Sequence, residues 1–159
     1  MTRKVFLSCV TKEFAPHREK LAHDLQMPNV KVEWQETFVE TGHTTLDKLD
    51  SYIQGCHAVI HLVGFAAGSL ALTPEVKGLL DKYPHFTERL PCLKEVLEKT
   101  PNSISYTQWE AWLAIYHGIP CFVYRAEASA PLASKFVEDA EQKQLQDVRY
   151  VRKSKIQAS

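Results

Sequence analysis

The sequence predicts an α/β fold built on an open, doubly wound parallel sheet of about five strands with helices on both faces. Two observations carry this. Short apolar, strand-forming runs alternate with stretches of helical periodicity along the chain. One of those runs, Ala58–Val63, is apolar almost throughout, as a parallel strand covered on both faces must be. A length of 159 residues suits one domain, expected over 1–151, with a polar tail or linker over 152–159.

The elements follow in order. Lys4–Ser8 is the first strand, and Pro16 then opens a helix carrying Leu21 and Leu25 on one side. Val30–Trp34 alternates apolar with polar residues, the pattern of a half-exposed strand. A second helix starts at Thr45 and Leu46 and sets Leu46, Leu49 and Ile53 at helical spacing. Ala58–Val63 is the middle of the sheet. The stretch 65–103, punctuated by Pro74, Pro84, Pro91 and Pro101, reads as an insertion holding two short helices. One of them begins at Thr73-Pro74-Glu75, with a hydroxyl cap and a proline in the first turn. A stronger helix runs from Ser105 to His117 and stops at Gly118. Pro120–Tyr124 is the next strand, Pro131 to Gln144 the last helix and Val148–Val151 a short edge strand. Right-handed crossovers between such strands give the flavodoxin-like arrangement.

Composition excludes several classes of function. Nineteen basic and nineteen acidic side chains cancel, so the broad positive field of a non-specific nucleic-acid binder is missing; the basic tail around Arg149, Arg152, Lys153 and Lys155 reads as solvated linker. No apolar run approaches the roughly 18 residues of a membrane span, and the N-terminus lacks a signal peptide's apolar region, so no membrane is expected and the protein reads as cytoplasmic. Cys9, Cys56, Cys92 and Cys121 are widely spaced and are expected as buried, reduced thiols, with no metal site. There is no dinucleotide fingerprint, P-loop or nucleophile elbow.

Ligands in this architecture sit where loops leave the carboxyl ends of the strands, here after Ser8, Glu36, Gly64 and Tyr124. The segment Ser103–Trp112 stands out beside them. Ser105 with Gln108, and Thr107 with Glu110, are two ways to write a capping box. Trp109, Trp112, Leu113 and Tyr116 should face the sheet. Glu110, about 100° around the helix from Trp109, either looks into the cleft or only caps the helix and favours its dipole.

Over residues 4 to 126 the order of elements and several short motifs resemble a Toll/interleukin-1 receptor (TIR) domain of the bacterial TIR-like kind. Val5–Ser8 looks like the family's first strand with its terminal serine. Glu36 followed by Thr41 and Gly42 looks like the acidic end of the second strand and the loop after it. Ser105-Tyr106 followed by Glu110 is similar to the family's Ser-Trp-Cys-x-x-Glu pattern, with Tyr106 in the tryptophan place. Cys9 stands where an aromatic often follows the serine, the second loop lacks its usual proline, and 65–103 is longer than in the compact family pattern.

The resemblance implies an NAD glycohydrolase in which Glu110 is catalytic. NAD would be its substrate rather than a cofactor, and the products nicotinamide and ADP-ribose or a cyclic derivative. It further implies homo-oligomers through contacts between such domains, a C-terminal sensor module in a longer protein, and a role in bacterial antiviral defence or toxin-like NAD depletion.

The chemistry is coherent. The nicotinamide of NAD leaves as a neutral ring and needs no proton, so one fixed carboxylate favouring the positive charge that builds on the ribose can suffice.

The other candidates for substrate binding each have a bland reading beside the functional one. Ser8 offers a hydroxyl or N–H to ligand, or satisfies a local turn. Glu36 holds a ribose hydroxyl or caps the next element. Phe38 stacks on a ring or packs on its own domain. Tyr106 lines the pocket or is core with its hydroxyl at the rim, and Gly42 supplies backbone freedom. His57 and His61, about 13 Å apart along a strand, and His117 at a helix C-terminus are read as structural. Besides an NAD glycohydrolase, the pattern leaves open a TIR-type module that signals only by homotypic assembly, and an enzyme acting on the N-ribosidic bond of nucleosides.

Overall fold

The structure is a computed structural model, and it describes residues 1–35 and 44–129. The element order is β1 (Arg3–Ser8), α1 (Thr11–Leu25), β2 (Val30–Glu33), α2 (Thr45–Gln54), β3 (Ala58–Val63), α3 (Thr73–Lys82), α4 (Phe86–Arg89), α5 (Lys94–Lys99), α6 (Tyr106–Tyr116) and β4 (Cys121–Arg125). The described strands form one four-stranded, all-parallel sheet in the order β2-β1-β3-β4. This is the flavodoxin-like winding: the chain steps to one side of β1, then back past it. Right-handed crossovers accordingly place α1 on one face and α2 and α6 on the other. The helix expected over 131–144, the strand over 148–151 and the tail over 152–159 lie outside the described residues.

β3 is interior, as its apolar run requires. The face beneath α2 and α6 carries Phe6 and Val59, and onto it pack Leu46, Leu49 and Ile53 of α2 and Trp109, Trp112 and Leu113 of α6. The stretch 65–103 contains no strand of the sheet. It holds three short helices rather than two, with 3-10 turns at Pro91–Leu93 and Pro101–Ser103, each of which opens on a proline. Its Val76, Leu79, Phe86, Leu90, Leu93 and Leu97 are buried in the same core, so the stretch covers α2 and α6. The Phe86 ring stacks on Tyr116 at 4.6 Å between centroids.

Three local expectations need correction. Pro16 does not open α1; it lies inside the helix, which begins at Thr11. Pro16 lacks the N–H that would reach back to the Lys12 carbonyl, yet the turn before it is held from outside. Glu13 is buried, and its carboxylate accepts hydrogen bonds from the backbone N–H groups of Phe65 at 2.6 Å and Ala66 at 3.0 Å. Thr73 is not a cap for α3: Leu72 holds that position without a side-chain bond, and Thr73 with Pro74 forms the first turn. All four cysteines are free, but only Cys56 is buried, and burial pushes its thiol up to about 11.

At the end of the sheet where its strands begin, a polar cluster ties three helices together. Asp50 of α2 has no exposed surface. It accepts from Lys82 Nζ at 2.6 Å and Tyr83 OH at 2.8 Å at the end of α3, and lies 2.7 Å from His117 Nε2 at the end of α6. Burial alone would raise its pKa, but the three partners outweigh it and hold the carboxyl below the ordinary aspartate value of 3.8.

Two predictions follow from these contacts. A folded-state pKa below the unfolded one means that Asp50 contributes stability above about 3.8, lost as pH falls through and below that value. Asp50→Asn should therefore unfold at lower urea at pH 7, by on the order of 1–3 kcal/mol for the partners left unpaired, with the gap to the parent narrowing towards pH 3. The second concerns Gly64, where an added Cβ would fall on the Glu13 carboxylate. Gly64→Ala should destabilise the parent by about 1–3 kcal/mol by breaking the two carboxylate bonds. In a Glu13→Ala background it should be close to neutral, which a double-mutant cycle of urea midpoints reads directly.

Candidate functional site

The register between β1 and β3 pairs Phe6 with Val59 and Ser8 with His61. Side chains in register on neighbouring parallel strands share a face, and alternate residues along a strand repeat it. Ser8, the last residue of β1, and His61, two residues before the end of β3, therefore lie side by side on the face that α6 covers.

α6 brings the third group. Its N-terminus is set by a capping box in which Ser105 Oγ accepts from Gln108 N–H and the Gln108 side chain accepts from Ser105 N–H. Of the two ways the sequence offers to cap this helix, Ser105 with Gln108 is the one used, which leaves Glu110 without a capping duty. The segment just before α6 is fixed as well. Ser69 and Ala71 pair with Tyr106 and Ile104 through backbone bonds of 2.9 and 3.0 Å, and Gly68, at φ +80°, lies against Thr107 and Val10.

From this start Trp109, Trp112, Leu113 and Tyr116 turn inward, as expected. Glu110, one residue beyond Trp109, reaches the end of β1. Ser8 Oγ donates a hydrogen bond to Glu110 Oε2, lies 2.7 Å from His61 Nδ1 and is 3.4 Å from the Thr107 carbonyl. Exposures are 0% for Ser8, 2% for His61 and 2% for Glu110. The first turns of α6 add the positive end of the helix dipole, which favours an anion there.

The structure thus unites Ser8 and Glu110, two of the residues singled out from sequence, and adds His61, which the spacing argument set aside. Its signal was present: a single polar residue inside the otherwise apolar run Ala58–Val63, at the level of the Ser8 position. His57 precedes β3 and accepts from the Lys4 N–H at 3.1 Å, while His117 belongs to the Asp50 cluster at the opposite end of α6.

The Tyr106 hydroxyl has partners of its own. Its hydroxyl donates to Glu75 Oε2 at 2.7 Å and accepts from Leu72 N–H at 3.4 Å; burial and the Glu75 carboxylate push its pKa up to about 12. Glu75 in turn accepts from Thr45 N–H at 3.3 Å, so this pair ties the start of α6 to the start of α2. Glu36, Phe38, Thr41 and Gly42 lie outside the described residues. Among the described residues no group of three or more His, Cys, Asp or Glu side chains is arranged to hold a metal ion, and no helix is long and apolar enough to cross a membrane.

The cluster is not a serine-protease relay, because there the acid orients the histidine, whereas here acid and histidine both meet at the serine hydroxyl. What the arrangement can do is hold one carboxylate in a fixed orientation at the rim where this fold binds ligands.

No curated protein and no solved structure matches the chain. One family does, over residues 4–157, nearly its whole length. The chain belongs to that family, described as a domain of unknown function (DUF4062).

Proposed function

We propose that this chain is an NAD glycohydrolase with Glu110 as its catalytic carboxylate, the activity implied by its resemblance to TIR domains. The observation that supports this reading is the convergence of Ser8 and Glu110 at the carboxyl ends of the interior strands, with Ser8 holding Oε2. In the reaction the bond from ribose C1′ to the nicotinamide nitrogen breaks and its electron pair leaves with the ring. The positive pyridinium becomes neutral nicotinamide, and no acid is required. Positive charge builds on C1′ and the ring oxygen, and an oriented carboxylate stabilises it more than it stabilises the substrate. Water then adds to C1′ and gives up a proton, or a hydroxyl of the substrate adds and closes a ring.

Glu110 is 2% exposed, so substrate contact requires the rim above it to open. An assembly that completes the site would make turnover depend on protein concentration. The same burial favours a second reading. In a module that acts only by assembling with its own kind, Ser8, His61 and Glu110 would simply pin α6 to the sheet.

The test is nicotinamide release from NAD by the parent and by Glu110→Gln, across a range of protein concentrations. The isosteric variant keeps an acceptor for Ser8, so its unfolding curve should match the parent's while turnover falls by about 10²–10³. Equal rates would remove Glu110 from the reaction. Silence of the parent at every concentration, with self-association, would leave the assembly reading.

A further inference from the structure

We propose that the exposed sheet face of β3 and β4, on the side of α1, is the docking surface for a helix formed by residues 131–144 of the same chain. The inference is independent of the catalytic reading and concerns the opposite face of the sheet from Ser8 and His61.

The surface follows from register. Val59 faces α2 and α6, so Ile60 and, one period on, Leu62 point the other way. Ile60 pairs with Leu7 of β1 on one side and Phe122 of β4 on the other, and Leu62 pairs with Tyr124. These side chains therefore share one face. Its burial falls across the sheet: Leu7 is enclosed, Ile60 and Leu62 are half-buried, and Phe122 and Tyr124 are 51% and 60% exposed. Among the described residues the helix on this side is α1, which connects β1 to β2 and so lies away from β4. A parallel sheet normally has both faces covered, and exposed aromatic rings beside aliphatic side chains form a patch that calls for a partner.

Three observations name that partner. The segment just beyond β4 has a matching face. Leu132, Phe136 and Ala140 recur every four residues with Ala133 and Val137 beside them, while Ser134, Lys135, Glu138 and Gln142 fall on the opposite side of such a helix. The segment is also tethered. Ala126 N–H still bonds to the Val63 carbonyl at 2.7 Å, which leaves residues 127–130 as the link, a usual length for a strand-to-helix connection. At about 1.5 Å per residue the helix is about 21 Å long, against about 17 Å for β4, so one antiparallel pass covers both rings. Such a tether gives the segment an effective concentration on the order of millimolar at the patch, an advantage that a second copy lacks. Finally, the family match extends to residue 157, so the segment belongs to the domain that the family defines.

Handedness separates this arrangement from its rival. A right-handed crossover from β4 to a fifth strand beyond it would run over the α6 side and leave Phe122 and Tyr124 uncovered. With the helix on the α1 side, the sheet ends at β4, and Val148–Val151 is not a fifth parallel strand beside it.

Two measurements on the full chain test this. The first is the nuclear Overhauser effect between methyl groups and aromatic rings. The methyls of Leu132 and Val137 should contact the rings of Phe122 and Tyr124, and these contacts should be absent between differently labelled molecules in a mixed sample. Rings that contact methyls of a second molecule, or of no residue in 131–144, overturn the proposal. So do Leu132 and Val137 methyls that contact Val123, on the other face.

The second is a double-mutant cycle of urea midpoints. Tyr124→Ala and Phe136→Ala should each lower the midpoint by on the order of 0.5–1 M. Together they should lower it by clearly less than the sum, because either one breaks the same contact. Additive losses, or no loss on Phe136→Ala, overturn the docking surface.

Discussion

The pairing of β1 with β3 is the constraint on which the rest of the molecule depends. Because side chains alternate between faces, Ser8 and His61 share a face with each other, and with Phe6 and Val59, in this register and not in one shifted by a residue. The apolar members of that set fix the register by burial. Phe6 and Val59 are fully enclosed beneath α2 and α6, and a slip would turn them towards the opposite face. The polar members therefore inherit their position from the hydrophobic ones, and α6 meets them where the core has put them.

α6 lies over that face with polar anchors at both ends. Ser8 takes Glu110 near its beginning, and Asp50 takes His117 just beyond its end. Burying carboxylates is costly, and neither contact is needed to keep an apolar helix against an apolar sheet; replacing such groups by well-packed hydrophobic side chains is often neutral or better for stability. What these contacts add is direction. The inward face of α6 is broad, with two tryptophans, a leucine and a tyrosine, and such a surface can slide or rotate at little cost unless polar groups demand particular partners.

Much of this was legible in the residues. Ala58–Val63 announced an interior strand, and the spacing of Leu46, Leu49 and Ile53 announced the buried side of α2. The two overlapping capping boxes marked the start of α6 to within two residues, but left Glu110 either in the cleft or capping, a choice the Ser105–Gln108 cap decides. What escaped the reading depends on partners far along the chain. Pro16 resembles a helix start when only its neighbours are considered, but Glu13, three residues earlier, is bound to N–H groups 52 and 53 residues away, and that bond carries the helix back to Thr11. His61 was set aside because it was weighed as a metal ligand along its own strand, while its partner Ser8 is on the neighbouring one. The residues expected to touch substrate from the second loop, Glu36, Phe38 and Gly42, fall outside the described residues.

The short link that follows α6 leaves it no slack. Gly118, at φ +70°, reverses the chain, Ile119 N–H bonds back to the Ala114 carbonyl at 2.8 Å, and the Pro120 carbonyl accepts from Val59 N–H at 2.8 Å. The helix is thus clocked from below by the sheet as well as from above by its cap. An α-helix turns about 100° for each residue it contains, so inserting or deleting a single residue between Glu110 and Gly118 would rotate the carboxylate away from Ser8 unless the cap gave way. The rotational phase of this one helix ties the geometry of the rim to the strand ends at the far side of the domain.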